Sequence, residues 1–313
     1  MSTIEVQTPG LQTTVQDLGR PGFGFIGVSP SGAADPISLR LGNRLVGNDE
    51  HAAGLEMMLL GGTFIFPEGA VVALTGSDFG AMLDDARVDV GASVQVRPGQ
   101  TLRLGPTTSG ARCYLCVQGG VSVKPFLGSA STHILSGLGG FEGRPLRKGD
   151  VLHIGRASKR FRGRKIAAKA SERLCERKVL RVTSGPQADW FSDPSLHEFY
   201  AGSYRVGEQS NRMGLRLEGA AISQRGAREM ISEGVSLGAI QTPTGGSPII
   251  LFVEQQTTGG YPKIANVISA DLHRIGQLRP RDELRFERVT FDQARALLIE
   301  QEKLLTSREL ILE

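Results

Sequence analysis

Short apolar runs separated by glycine-rich turns make up most of the chain. Between residues 57 and 105 four such runs follow one another, MMLLGGTFIF, AVVALTG, VDVGASVQV and QTLRLG, and each has the length of a β-strand. A continuous apolar run at 248–253 predicts a buried strand, because a strand covered on both faces can be apolar at every position. The pattern predicts a mainly β protein with a few helices.

Helical periodicity is confined to a few segments. The clearest begins after Asp35, a good N-cap, with Pro36 at the first helical position and one apolar stripe formed by Ile37, Leu41 and Leu45. Gly47 follows where a left-handed C-terminal cap is expected. A closing helix is predicted near the C-terminus, where Thr290 and Gln293 have capping-box spacing.

A turn that enters an alternating strand occurs three times, beginning at Arg97, Arg147 and Arg279. The last two copies lie 132 residues apart and would each close a β-rich unit. We therefore predict two β-rich domains and a closing helix, with the boundaries 1–155 for the N-terminal domain, 156–178 for a basic connector, 179–290 for the C-terminal domain and 291–313 for the helix.

Composition and charge support a globular β protein and exclude some partners. The chain has 41 glycines in 313 residues, which suits many short strands and turns better than long helices. The net charge is +4, but residues 156–178 alone carry ten Lys/Arg and two acids, so the rest is slightly acidic. A solvated connector explains this run better than a polyanion site. We expect no binding of nucleic acid through a broad basic face.

Several other classes are excluded by missing features. No stretch approaches 18 consecutive apolar residues and the N-terminus lacks a signal sequence, so we expect a cytoplasmic protein without a membrane span. Cys113 and Cys116 form a CxxC, but on a predicted strand, where they point to opposite faces. The scattered histidines predict no metal site, and a P-loop is missing.

The stretch 255–274, QQTTGGYPKIANVISADLHR, carries the densest set of polar functions beside a flexible turn. Gly259 and Gly260 permit a close approach of a ligand or another backbone. Residues on either side offer amide, hydroxyl, phenol, ammonium and carboxylate groups. From the spacing alone, a solvated hairpin loop and a functional site remain equally acceptable.

Two further loops are candidates. Residues 128–150 hold six glycines and exceed the length of a simple hairpin turn, so the loop is either functional or a surface excursion. The polar loop before the first helix, which contains Ser31 and Gly32, faces backbone N–H groups that favour anions, although most such helix starts bind nothing.

Motifs spread over nearly the whole chain carry a family resemblance. They are GVSPSGAADPISLRLGNRLVGN at 27–48, YLCVQGGVSV at 114–123, GSASTHILSGLGGFEGRPLRKGD at 128–150, SGPQADWF at 184–191, NRMGLRLEG at 211–219, ISEGVSLGAIQTP at 231–243 and QTTGGYPKIANVISADLHRIGQLRP at 256–280. With these motifs the chain resembles the allophanate hydrolase subunit 2 family, whose members are also known as the C subunit of 5-oxoprolinase. The matching half of the urea carboxylase carboxyltransferase domain belongs to the same group.

The resemblance implies a cyclophilin-like β-barrel architecture and a component of a 5-oxoprolinase complex. Such a complex opens 5-oxo-L-proline to L-glutamate at the expense of ATP, and it also contains a companion B subunit (allophanate hydrolase subunit 1-like) and a third polypeptide. One alternative is a biotin-dependent carboxyltransferase acting on urea, which needs a biotinylated partner. Another is a regulatory module that binds its companion without chemistry.

The resemblance and the residue chemistry together indicate a set of site residues. Lys263, Asp271 and Tyr261 are the predicted catalytic residues, with Glu56 as a second candidate base. Lys263 ranks first because it follows the glycine turn directly. The predicted substrate- or nucleotide-binding residues are Ser31, Gly32, Ser131, Thr132, Gly139, Gly140, Arg144, Arg212, Gln255, Thr257, Thr258, Gly259 and Gly260. Among them, Arg144 and Arg212 provide charges that could hold an anion.

Overall fold

The computed structural model describes residues 2–157, 162–167, 178–226 and 228–312. Most of the predicted basic connector at 156–178 lies outside these ranges. The chain divides into two compact units, and each is described by itself. Unit 1 comprises Met1–Arg20, Ser31–Arg173 and Ser307–Glu313, and unit 2 comprises Pro21–Pro30 and Leu174–Thr306.

The described residues are mainly β, as predicted. The helices are α1 (Pro36–Val46), α2 (Asp193–Ala201), α3 (Leu272–Ile275) and α4 (Phe291–Thr306). The strands are β1 (Thr3–Thr8), β2 (Gln12–Gln16), β3 (Gly54–Met58), β4 (Thr63–Ile65), β5 (Ala70–Gly76), β6 (Met82–Leu83), β7 (Ala86–Arg87), β8 (Ser93–Val96), β9 (Thr101–Arg103), β10 (Arg112–Val117), β11 (Val121–Ser122), β12 (Val151–Ile154), β13 (Lys165–Ile166), β14 (Val179–Ser184), β15 (Tyr204–Val206), β16 (Gly214–Glu218), β17 (Glu233–Gly234), β18 (Ala239–Gln241), β19 (Ile249–Leu251), β20 (Thr258–Gly259), β21 (Lys263–Val267), β22 (Glu283–Arg288) and β23 (Ile311–Leu312). Within the described ranges, no helix has the length and apolarity needed to cross a membrane.

Unit 1 consists of two sheets with an apolar core between them. The larger sheet has the strand order β11-β12-β1-β4-β9-β6-β7 and the smaller one the order β2-β3-β10-β5-β8. Alternate residues of both sheets fill the core, among them Ile4, Leu55, Phe64, Leu74 and Leu102. The strand β23 near the C-terminus pairs with β13 as a separate two-stranded ribbon of this unit.

Helix α1 covers the other face of the smaller sheet. Its predicted caps are present: the Asp35 carboxylate accepts from Ser38 N at 2.9 Å, and Gly47 takes a left-handed conformation with φ of 80°. The helix packs on Cys116, whereas Cys113 faces the core between the sheets. The two cysteines therefore lie on opposite faces of β10, as the strand prediction required.

Unit 2 is built on a closed seven-stranded barrel with the order β14-β21-β18-β19-β16-β15-β22. β14 and β22 complete the ring as a parallel pair, and the other neighbours are antiparallel. This confirms the barrel that the resemblance implied. Closure also places the beginning of β21 beside the end of β18, where Lys263 lies opposite Gln241.

The closing helix is shorter than the predicted 291–313. The capping box is formed, because Thr290 N donates to Gln293 Oε1 at 2.8 Å and Gln293 N donates to Thr290 Oγ1 at 3.2 Å. Helix α4 ends at Thr306, where Ser307 adopts an extended conformation and its hydroxyl accepts from Glu309 N. A 3-10 turn and β23 follow, so the last residues form a strand rather than more helix.

Candidate functional site

Lys263 begins β21 and is almost completely enclosed within unit 2. Its side chain is 6% exposed, and its Nζ forms an ion pair with Glu233 Oε1. Apart from this contact, no described residue satisfies Nζ with hydrogen-bond geometry. An ammonium removed from water needs an anion close by, because burial of an unpaired charge costs several kcal/mol. Lys263 is therefore a buried cation that depends on one carboxylate.

Gln187 contacts both members of this ion pair, through the backbone of Lys263 and the side chain of Glu233. Its Oε1 accepts from Lys263 N at 3.1 Å, and its Nε2 donates to Glu233 Oε1 at 3.1 Å. The turn that carries Gln187 can lie so close to β21 because Gly185 has no side chain, and a Cβ there would overlap the Lys263 carbonyl oxygen. Two donors, Lys263 Nζ and Gln187 Nε2, thus converge on one carboxylate oxygen. The ammonium, and after it the amide, holds the pKa of Glu233 below its ordinary value.

The glycine turn of the 255–263 stretch forms a short antiparallel ribbon with the segment that carries Glu233. β17 pairs with β20, so Glu233 lies opposite Gly259. A Cβ on Gly259 would stand 2.5 Å from Gln241 Nε2, so a larger residue here would require the Gln241 side chain to shift. Thr257 extends the ribbon, because its carbonyl accepts from Val235 N at 3.1 Å. Thr258 is exposed on β20.

Gln255 and Tyr261 flank this ribbon with different exposure. Gln255 is buried; its Nε2 donates to Val235 O at 3.2 Å, and its Oε1 has no hydrogen-bond partner among the described residues. Tyr261 is 46% exposed and, with Gly260 and Pro262, lines a cavity of about 640 Å³ on the surface of unit 2. The stretch therefore offers one orphaned buried acceptor and one accessible phenol.

Two predicted site residues of unit 2 are held in buried ion pairs. Arg212 Nε contacts Glu254 Oε1, and both side chains are buried. Asp271 is fully buried and accepts from Arg181 Nε at 3.0 Å and from Arg181 N at 2.8 Å, with Arg274 close by. Asp271 raises the pKa of Arg181. Two guanidinium groups thus hold this carboxylate away from solvent, and the role of Asp271 as a base stays a prediction.

The predicted binding residues of the N-terminal half form a separate network in unit 1. Ser131 Oγ donates to Asp17 Oδ1 at 2.5 Å, and Ser31 Oγ donates to Thr132 O at 2.9 Å. Gly139 and Gly140 lie against the Ser131 carbonyl and the Thr132 hydroxyl, where no Cβ fits, and both have positive φ.

The loop before α1 can pack closely against this network because Gly32 has no side chain. Gly32 has φ of +95°, and a Cβ there would stand 2.9 Å from Gly19 N. Gln16 Nε2 adds a bond to Thr132 O at 3.1 Å, and Gln16 Oε1 is buried without a partner among the described residues. The long loop 128–150 is therefore hydrogen-bonded to β2 through Thr132 and Leu146, whereas residues 135–137 are exposed.

The side chains of Arg144 and Glu56 also form ion pairs and hydrogen bonds with other residues of unit 1. Arg144 contacts Asp150 at 2.7 Å and also Glu142, and it holds the pKa of Asp150 below its ordinary value. Glu56 accepts from Tyr114 Oη at 2.7 Å, from Ala34 N at 2.8 Å and from Arg112 Nε at 3.2 Å. Burial raises the pKa of Tyr114 well above its ordinary value. Glu56 and Arg112 are thus a buried pair of opposite charges, whereas Arg144 and Glu142 are paired at the surface.

The structure thus brings together Lys263, Gln255, Tyr261 and the glycine turn, and places the Ser31, Ser131 and Thr132 group in the other unit. No sequence pattern singles out Glu233, Gln187 or Gln241 in unit 2, or Asp17 and Gln16 in unit 1. Glu233 and Gln187 lie within the motifs ISEGV and SGPQADWF, and this is the only signal that could have found them. Among the described residues, no cluster of His, Cys, Asp and Glu is arranged to hold a metal ion.

Comparisons with known proteins cover almost the entire chain. Residues 26–288 match the family model described as carboxyltransferase domain, subdomain A and B. The chain is 38% identical to the C subunit of 5-oxoprolinase from Escherichia coli over 291 residues, which is 93% of either protein. It is 36% identical to urea amidolyase of Saccharomyces cerevisiae, over 98% of this chain but 18% of that protein. The crystal structure of Kluyveromyces lactis urea carboxylase superimposes with a TM-score of 0.90 at 33% identity, covering 99% of this chain and 30% of that one.

Proposed function

The chain belongs to the family of carboxyltransferase domains, subdomains A and B, and from this premise we propose that it is the C subunit of a 5-oxoprolinase complex. In this role it takes part in the ATP-dependent opening of 5-oxo-L-proline to L-glutamate, together with a B subunit and a third polypeptide. The observation that carries the proposal is full-length similarity: the match to the C subunit of 5-oxoprolinase extends over 93% of both chains. The name of that relative also supports a role within an enzyme complex, which we place in the cytoplasm.

The polar groups of unit 2 fit the needs of lactam opening. In the overall reaction water adds to the lactam carbonyl and the ring C–N bond breaks, leaving an amino group and a new carboxylate. The carbonyl must be activated, either by phosphorylation from ATP or by donors at the oxygen that becomes negative. Lys263 Nζ supplies a positive charge in an enclosed position, and the accessible Tyr261 hydroxyl can donate a hydrogen bond.

Carboxyl transfer is the second candidate, and the urea amidolyase and urea carboxylase relatives favour it. In that case a biotinylated partner would supply the carboxyl group and the substrate nitrogen would accept it, and Lys263 Nζ would hold the carboxylate. The chain corresponds to less than a third of each of these relatives, so their complete activities require segments beyond the part that matches.

One experiment separates the two candidates. The full chain is reconstituted with its companion polypeptides, and product formation is measured with 5-oxo-L-proline and with urea plus bicarbonate, each with and without avidin. We expect L-glutamate formation that depends on ATP and is insensitive to avidin. Bicarbonate fixation that avidin abolishes, without glutamate formation, would replace the first candidate by the second.

A further inference from the structure

The Lys263 anion site, defined as Lys263 Nζ and Gln187 Nε2, is a built site for one carboxylate. Both groups approach the same oxygen, Glu233 Oε1, from β21 and from the turn after β14. The ammonium is enclosed, whereas the carboxylate that fills the site is 47% exposed. The ammonium therefore belongs to a strand of the barrel and the amide to the turn beside it, and the more exposed acceptor reaches both from outside.

Glu233 is carried by one of the most weakly held segments of unit 2. β17 and β20 are two residues long, and Ile231, Ser232, Glu233 and Gly234 are all exposed. A ribbon of this kind has few buried apolar contacts, and such segments open locally at a small free-energy cost. By contrast, Lys263 lies in a five-residue strand that is hydrogen-bonded on both sides in the closed barrel. Opening of the ribbon would remove Glu233 and leave the donors in place.

We propose that Glu233 is an internal occupant of the Lys263 anion site, and that a small carboxylate ligand binds there by displacing it as the β17/β20 ribbon opens. The ligand takes the same two contacts, the ammonium and the Gln187 amide, that Glu233 makes in the closed state. The enclosed position of Lys263 limits the ligand to a small molecule. Glu233 thus acts as an autoinhibitory carboxylate that lowers the apparent affinity for the ligand.

The identity of the natural ligand rests on the proposed function. The substrate proposed there, 5-oxo-L-proline, is a small molecule that carries one carboxylate. The displacement itself does not depend on it, since any small carboxylate competes for the same two donors. If the open state has a population of about 1–10%, removal of Glu233 raises the apparent affinity by about 10- to 100-fold.

The test is a binding titration of the isolated full chain with 5-oxo-L-proline and, separately, with acetate, followed by calorimetry or ligand-observed NMR. We expect Glu233→Gln and Glu233→Ala to bind 5-oxo-L-proline at least about 10-fold more tightly than the wild type. Glu208→Gln is the matched control, because Glu208 is also an exposed glutamate paired with a cation, Arg281. This control should bind like the wild type.

Lys263→Met should lose binding in the wild-type background and in the Glu233→Gln background. Unchanged or weaker binding by both Glu233 variants would overturn the proposal, and so would tight binding by the double variant. If acetate shows the predicted order of affinities and 5-oxo-L-proline does not bind, the internal-occupant proposal is supported and the assigned substrate is contradicted. If the reconstituted complex forms glutamate but the Glu233 variants gain no affinity, the proposed function stands and this inference falls.

Discussion

Replacement of Lys263 by methionine separates a functional lysine from a structural one. The side chain is 6% exposed, and moving an ammonium from water into such a position costs several kcal/mol even after relaxation. Methionine has a similar length and no charge, so the substitution removes this cost. The partner, Glu233, is about half exposed and can be solvated when the ammonium is gone.

The expected result is therefore a change in activity without loss of stability. Lys263→Met should leave the free energy of unfolding of unit 2 unchanged or raise it, because the cost of burying the ammonium is removed and Glu233 stays solvated. In the reconstituted complex the same variant should lower the turnover rate by about 100- to 1,000-fold, the usual effect of removing a group that stabilises a developing anion.

Urea denaturation followed by tryptophan fluorescence measures the change in stability. Trp190 is the only tryptophan of the chain and lies in unit 2, so its signal reports the unit that contains Lys263. Glu254→Gln is the matched control: it breaks an ion pair whose two side chains are both buried, and it should cost about 3–5 kcal/mol. Destabilisation of unit 2 by Lys263→Met as large as that by Glu254→Gln would show instead that Lys263 is a structural lysine.

Three further predictions concern unit 1. Gly139→Ala should destabilise the protein by about 1–3 kcal/mol more than Gly149→Ala in urea denaturation followed by circular dichroism, because both have positive φ but only Gly139 lies against a backbone carbonyl. Tyr114→Phe should lower the free energy of unfolding by about 1–3 kcal/mol in the same assay. The hydroxyl that it removes donates to the buried Glu56 carboxylate and accepts from Asp35 N. Burial raises the pKa of the Cys113 thiol, and it raises the pKa of Cys116 to about 12. Iodoacetamide at about pH 8 should therefore label neither thiol before the protein unfolds. Peptide mass spectrometry of the labelled protein measures this.

Local patterns are sufficient to predict the elements that depend on neighbouring residues. Asp35 and Gly47 define α1 through capping, which acts within one helical turn. The CxxC cysteines lie on a strand as predicted, because side-chain alternation is a local property. The end of α4 at Thr306 does not follow from the sequence pattern, since Ser307 and the strand after it depend on pairing of β23 with β13, far away in sequence.

The candidate site is predicted only in part for the same reason. The glycine turn and Lys263 stand out in the sequence, but the two groups that complete the site lie 30 and 76 residues before Lys263. Periodicity also gives no information on which charges are already paired. Asp271 is a plausible base by its position in the motif, yet its partner Arg181 lies 90 residues away, and only the barrel brings them together.

L-Glutamate formation from 5-oxo-L-proline and ATP by the reconstituted complex shows directly whether Lys263 acts in the reaction. The complex is assembled with the wild-type chain, with Lys263→Met and with the exposed control Glu208→Gln. We expect equal rates for the wild type and Glu208→Gln, and a rate at least about 100-fold lower for Lys263→Met. Wild-type activity in the Lys263→Met complex, or no glutamate from the wild-type complex, would contradict this expectation.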